Sequence, residues 1–467
     1  MKTLSLLFAV FIASVAGLSG TVIPHELPAE FDANHDWVMP STQYRVEVLQ
    51  GDTVTKCPTY MMEAQHTTNR SETTSWAQFD FEGEPVKIRV YKLEGEIDHH
   101  AVLPSSKGIT PRKGDGYVEF TIEKPGQFAV DFEEGVEIAH PMVVFANPME
   151  TRVPTKGDPG VIWFEPGVHE IGDNFELESD TTVYLERGAY VKGRITAYDK
   201  ENIKILGRGI LSGEVFPVRS GGFLINLRGS SGVNNILIEG ITVLHAPSHN
   251  IVLEGYNHIV RNVKILSWHF STDGIKAGKN SVVEDCFMKV NDDSIRLYDT
   301  NSVARRNIIW QMDNGAPFQI GWSGGSSRHF HAYDCDVIRV EHQFDNENES
   351  VFCAIKGTNG ERSHYLYEDI RVENCDWRIF RIVTMPNRWA HWDPEGGSVA
   401  NVHFKNITIK GEQKLRSIIK GHDPKHPVYN ITFENVKMNG RLIRSAEDGN
   451  IFVDPNTTWN VKFVVSE

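Results

Sequence analysis

The chain has 467 residues, 40% of them hydrophobic, and a formal net charge of −15. That length exceeds one ordinary core, so the sequence holds either two domains or a repeat array. A chain this acidic has no field to draw nucleic acid and repels polyanionic polysaccharides at long range, so a neutral substrate suits it better.

Met1-Lys2 leads an apolar run from Leu4 to Val15, and small residues follow at Ala16, Gly17, Ser19 and Gly20. The run falls short of the ~20 apolar residues of a membrane span, so residues 1–19 read as a secretory signal peptide. No later stretch is long and apolar enough to cross a bilayer. The mature protein is expected outside the cell, without membrane attachment and as a monomer.

Residues 20–152 read as a β-sandwich domain. The runs Tyr44-Arg45-Val46-Glu47-Val48, Val86-Lys87-Ile88-Arg89-Val90 and Tyr117-Val118-Glu119-Phe120-Thr121-Ile122 alternate with period two between Gly, Asp and Pro turns. One apolar face per strand calls for antiparallel sheets packed on each other. No nucleophile–base arrangement stands out here.

From residue 153 to 467 the texture changes to short strands and Gly-rich turns. A motif recurs at Ile238-Glu239-Gly240-Ile241, Val260-Arg261-Asn262-Val263 and Val283-Glu284-Asp285-Cys286. It returns at Tyr367-Glu368-Asp369-Ile370, Phe404-Lys405-Asn406-Ile407 and Phe433-Glu434-Asn435-Val436. The first intervals, 22 and 23 residues, are one coil each, and later ones widen to 37 through inserted loops. A coil buries its apolar face and pairs its strand edges only when neighbours stack on it, so repetition is the fold. The expected architecture is all-β: an antiparallel β-sandwich followed by a right-handed parallel β-helix. Asn at the polar motif positions suits tight turns and stacked ladders.

The cysteines are Cys57, Cys286, Cys335, Cys353 and Cys375, an odd number in a chain expected to be secreted. Three fall between residues 335 and 375, where one disulfide is expected. The absence of Cys-x-x-Cys argues against structural zinc. Sequons stand at Asn69, Asn348, Asn406, Asn430 and Asn456, and a glycoprotein is expected if the secretory route is eukaryotic.

The chemistry concentrates in Ser271-Thr272-Asp273-Gly274-Ile275-Lys276 and Val290-Asn291-Asp292-Asp293-Ser294-Ile295-Arg296. Asp-Gly-Ile-Lys and Asp-Ser-Ile-Arg share one pattern 20 residues apart, about one coil. Stacking strands ~4.8 Å apart puts Asp273 beside Asp292 and Asp293, the carboxylates of acid–base glycoside hydrolysis. Lys276, Arg296, Tyr298, Gln319 and Trp322 fall in the same stack and are the expected substrate contacts, as a sugar groove requires. Trp268, Trp310, Trp377, Trp389 and Trp392 are further aromatic candidates. Strand alternation alone would send Asp292 and Asp293 to opposite faces, so both reach solvent only if the chain bends there.

Asn280-Ser281-Val282-Val283, Val290 to Tyr298, Phe318-Gln319-Ile320-Gly321-Trp322 and Phe380-Arg381-Ile382 resemble glycoside hydrolase family 49, the dextranases and isopullulanases. The similarity is strong over residues 235–385 and diffuse elsewhere. It implies a sandwich before a β-helix, and hydrolysis inside neutral α-glucans with inversion, without a metal or other cofactor. Asp292 resembles the family's general acid. Asp273 and Asp293 resemble the carboxylates that hold and deprotonate the water. Inversion calls for ~6.5–9.5 Å between the carboxyl groups. Dextran is the expected substrate and pullulan the second.

A pectin hydrolase of the polygalacturonase kind is the alternative enzyme. Against it, Ser271 replaces the Asn expected before Thr-Asp, and neither Gly-His-Gly nor Arg-Ile-Lys occurs. A non-catalytic glucan-binding β-helix is the alternative from another class, and three acids in one stack argue against it.

Overall fold

The structure is a computed structural model describing residues 20–28, 37–64, 70–229, 232–391, 393 and 395–466. The apolar leader, the Asn69 sequon and Trp392 lie outside the described residues.

The three alternating runs read from the sequence pair as antiparallel neighbours. Tyr44–Gln50 lies against Val86–Lys92, which lies against Tyr117–Ile122. Their apolar residues, among them Val46, Val48, Ile88, Val90, Val118 and Phe120, fill the sandwich core against Ala77, Phe79 and Phe81 of the facing sheet. That facing sheet corrects the expectation of purely antiparallel pairing, because Met142–Asn147 runs parallel to Thr73–Glu82. Val86–Lys92 and Tyr117–Ile122 of the first sheet lie between those two strands in sequence, so no hairpin fixes their direction.

Thr73–Glu82 is buried on both faces along nearly all its length. Ala77, Phe79 and Phe81 point into the sandwich, while Trp76 joins Phe145 against the outer surface of the coils. Tyr190, Leu244, Leu266, Trp268, Phe287 and Trp310 supply the coils' half of that contact. Trp268 and Trp310 are thus packing residues between sandwich and coils, not sugar platforms. A buried ion cluster lies in the same seam. Asp80 accepts from His25 Nε2 at 2.9 Å, Arg208 Nε at 3.0 Å and Arg187 Nη2 at 2.7 Å. Burial works to raise its pKa, but these partners win and hold the carboxyl below the usual range.

From Val161 onward the strands form two long sheets, parallel but for Lys437–Met438 against Arg441–Leu442, and successive coils add rungs to both. The repeated motif stacks in register. Ile238, Val260, Val283, Ala304, Ala332, Tyr367, Phe404 and Phe433 occupy one column. The apparent gap between Val283 and Tyr367 holds two more coils, hidden because alanine fills the column position in each. Further along, Tyr367, Phe404, Phe433 and Phe463 stack nearly parallel, with ring centres 4.9–5.2 Å apart. The motif's third residue is left-handed in coil after coil, at Asn262 (φ 49), Asp285 (φ 56), Asp369 (φ 52), Asn406 (φ 55) and Asn435 (φ 52). Asn and Asp tolerate that conformation better than other side chains, which explains their recurrence.

The side chains at these turns then bond along the stack. Asn406 Nδ2 donates to Asp369 Oδ1 at 2.9 Å, Asn435 Nδ2 donates to Asn406 Oδ1 at 3.2 Å, and Asn430 Nδ2 donates to Asn401 Oδ1 at 2.9 Å. The sequons at Asn406 and Asn430 are therefore ladder positions, and Asn348 is buried. All five cysteines are buried and free, which overturns the expected disulfide. Cys286, Cys335 and Cys375 act as small apolar fillers in the coil core.

Candidate active site

Successive coils align Ile251 with Ile275, Ile275 with Ile295, and Ile295 with Phe318. Two residues before each of these stand His249, Asp273, Asp293 and Ala316. The ladder therefore lines His249, Asp273 and Asp293 up across three neighbouring coils. The bend required at Asp292 is present. The strand Phe287–Val290 ends and the chain turns through Asn291 to Ser294 before Ile295–Arg296. Asn291 pins the turn from three sides: its N–H donates to Thr272 Oγ1 (3.1 Å), its Nδ2 to the Trp268 carbonyl (3.0 Å), and its Oδ1 accepts from Asn314 N–H (2.9 Å). Only Asp292 is half-open to solvent, whereas Asp293 is buried, which corrects the expectation that both reach it.

One oxygen from each of Asp273, Asp292 and Asp293 lies within 4.8 Å of the others. These three form the one described group of such side chains gathered closely enough to share a cation, and their positive neighbour is the Arg296 guanidinium. Their nearest oxygens stand closer than the ~6.5–9.5 Å expected between the carboxyl groups of a single-displacement pair. The close approach follows from the ladder, since Asp273 and Asp293 occupy the same position on neighbouring rungs and rungs stack ~4.8 Å apart.

The three acids have different surroundings. Burial works to raise Asp273, but His249 Nδ1 at 2.9 Å and Arg296 Nη1 at 3.1 Å hold it below the usual carboxylate range. Asp292 is pushed well above that range by burial and by the charges of Asp273 and Asp293. Its Oδ1 accepts the Asp293 N–H and its Oδ2 accepts Asn314 Nδ2, each at 2.9 Å. Asp293 is pushed up to about 7 by burial and Asp273, against the pull of Arg296, Trp322 and Gln319. The cluster thus holds one ionised carboxylate beside two carboxyls that keep protons at higher pH, an arrangement suited to acid–base chemistry.

The expected substrate contacts divide. Arg296 is in the cluster. Its guanidinium lies 4.8 Å from the Tyr298 ring centre and that of Arg362 5.7 Å, so Tyr298 supports Arg296. Gln319 is fully buried and corrects the expectation of sugar contact. Its Nε2 donates to Asp293 Oδ1 at 3.4 Å and its Oε1 accepts the Gly321 N–H. Trp322 Nε1 donates to Asp293 Oδ2 at 3.3 Å, so its polar edge also holds an acid. Lys276 is paired with Glu254 Oε1 at 3.2 Å. Trp389 is 53% exposed and remains the open aromatic. Its loop is fastened by Asn387 Nδ2, which donates to the Trp322 and Ile355 carbonyls at 3.1 and 3.2 Å.

Two contributors were not read from the sequence. His249 gave a faint signal, because His249-Asn250-Ile251 repeats the polar–small–Ile spacing one coil early. Gly315 gave none. Its φ is +86, and an added Cβ would stand 2.2 Å from the Asp292 carbonyl carbon and 2.4 Å from the Asp293 nitrogen. Gly315→Ala should push the bend out of place and lower kcat by about a hundredfold. A variant with native kcat would show that the bend tolerates displacement.

No family model matches the chain. A dextranase from Arthrobacter sp. (strain CB-8) is 26% identical over 318 residues, covering 60% of this chain and 44% of that protein. An isopullulanase from Aspergillus niger is 22% identical over 424 residues, covering 76% and 74%. The chain is similar to dextranases and to an isopullulanase. That bears out the resemblance to glycoside hydrolase family 49 carried by residues 235–385. The chain spans 44% to 64% of the length of the dextranases it matches. Among solved structures, Dex49A from Penicillium minioluteum superposes with a TM-score of 0.79 at 19% identity, covering 96% of this chain and 99% of that one. The likeness bears out the expected parallel β-helix fold.

Proposed function

We propose that this protein is a secreted, monomeric glycoside hydrolase that cleaves inside neutral α-glucan chains, dextran first and pullulan second. The observation that carries the reading is the cluster of Asp273, Asp292 and Asp293, one acid kept ionised beside two that keep protons at higher pH, at the face of stacked coils. Kinship to dextranases and an isopullulanase supports the substrate class. In this reading Asp292 gives its proton to the leaving sugar oxygen, while Asp273 and Asp293 hold and deprotonate the attacking water. Two oxygens sharing one water at about 2.8 Å each stand roughly 4.6 Å apart, which a gap of 4.8 Å or less accommodates.

The resemblance to glycoside hydrolase family 49 implies inversion. A second reading rests on the spacing, because close carboxylates suit double displacement, in which one attacks the sugar directly and configuration is retained. The test incubates the protein with dextran, pullulan and polygalacturonate, sizes the smallest products, and follows the new anomeric proton by NMR in the first minutes. Isomalto-oligosaccharides released as the β-anomer are expected. The α-anomer first would replace inversion with retention, and cleavage of polygalacturonate alone would overturn the glucan assignment.

A further inference from the structure

His249 makes a contact that its chemistry cannot satisfy in one protonation state. Its Nδ1 lies 2.9 Å from Asp273 Oδ2, which only accepts, and 2.8 Å from Arg296 Nη1, which only donates. With a proton, Nδ1 donates to Asp273 and opposes the guanidinium. Without one, it accepts from Arg296 and turns a lone pair toward the carboxylate. The ring has little freedom to escape the choice, because Phe223 packs edge-on against it at 4.5 Å. The charged groups around it come from several elements. Asp273 stands on the next coil and Arg296 on the one after, backed by Tyr298, while Arg228 lies 5.1 Å from the Phe223 ring centre. Arg296 also reaches Asp273 at 3.1 Å, so three groups share two good contacts.

We infer that His249 is a positioning residue for Asp273, gated by the proton on Nδ1: with it, the ring clamps the carboxylate together with Arg296, and without it, the ring draws Arg296 to itself and loosens the clamp. This rests on the hydrolase reading for its effect on rate, but not for its geometry. Burial works against the ionised form of Asp273, and the clamp is what overcomes it. Losing half the clamp therefore weakens the acid that orients the water.

Two variants separate gating from plain packing. His249→Gln keeps an amide donor at every pH and removes the charge, so the kcat/KM profile should move to higher pH by about half a unit or more. His249→Leu removes donor and charge together, and kcat should fall about ten- to a hundredfold with KM changed less than about threefold. A His249→Gln profile superposing on that of the native protein, or native kcat in His249→Leu, would overturn the inference. A native protein that cleaves no glucan would sink the hydrolase reading alone, so the gate is also read without substrate. Crystals of the native protein at pH 5 and pH 9 should show Nδ1 nearer Asp273 at the lower pH and nearer Arg296 at the higher. Equal distances at both would overturn it, whichever variants fold.

Discussion

Asp292→Asn should abolish turnover while leaving a folded protein that still binds glucan. The leaving sugar oxygen must receive a proton as its bond breaks, and general acid catalysis of this kind is worth about a hundred- to ten-thousandfold. Asp292 is the half-open member of the cluster and is held protonated by burial, Asp273 and Asp293. The amide matches the carboxyl in shape: its oxygen keeps the bond from the Asp293 N–H, and its NH2 can donate to Asn314 once that side-chain amide turns over, so the loss is chemical rather than structural. Reducing-end release from dextran should drop about a thousandfold or more, with little change in retention on a dextran affinity gel. Asp273→Asn and Asp293→Asn should also cost orders of magnitude, because each holds the water. Glu284 and Asp285 are the controls. They pair with Arg305 and Arg306 along the coil stack, so their removal should lower the melting temperature and spare kcat. Near-native turnover in Asp292→Asn would assign the acid elsewhere.

The second large effect concerns how the sandwich is held. Asp80→Ala should destabilise the protein by about 3–5 kcal/mol, the cost of leaving buried partners without their counter-charge. Asp80 is fully buried and Arg208 nearly so, and both oxygens of the carboxylate are engaged by His25, Arg208 and Arg187. Once it is removed, Arg208 keeps only carbonyl acceptors, at Gly207 and Pro148. Asp80→Asn should cost less, because the amide oxygen still accepts one donor. Denaturant unfolding followed by tryptophan fluorescence reads both, since Trp76, Trp268 and Trp310 sit in the same seam. A loss below about 1 kcal/mol for Asp80→Ala would mean that apolar packing alone holds the two parts together.

The acids were legible because they break the background of the coils. Asp-Gly-Ile-Lys and Asp-Ser-Ile-Arg repeat a polar pattern at coil length, and periodicity is what a sequence displays best. The coils at Ala304 and Ala332 went unseen for the opposite reason. A small residue fills the column there, and a search for bulky apolar residues steps over it. Trp268 and Trp310 were misjudged because a β-helix strand can bury its outer face when another domain covers it, and no local pattern announces that cover. Gln319 and Trp322 were placed in the right stack, but their role depends on side-chain direction. Each aims its N–H at Asp293, and only three-dimensional register reveals that. His249 was lost in a turn of Ser, His and Asn that looks like any other.

The uneven length of the coils also divides the molecule into parts that tolerate redesign and parts that do not. From His249 to Ala316 the column advances by 24, 20 and 23 residues, each position being fixed by the rungs on either side. One residue inserted there would rotate an acid off its face. Beyond Phe318 the coils carry extra chain. Lys356 is buried among the loops, where it donates to Thr358 Oγ1 at 2.6 Å, to the Asn359 carbonyl at 2.9 Å and to the Gly324 carbonyl. The segment with Trp389 hangs on the Asn387 amide. The loop between residues 386 and 397 can therefore be exchanged while the acids keep their register, so the acid cluster and the loops beyond it form separate modules for an engineer.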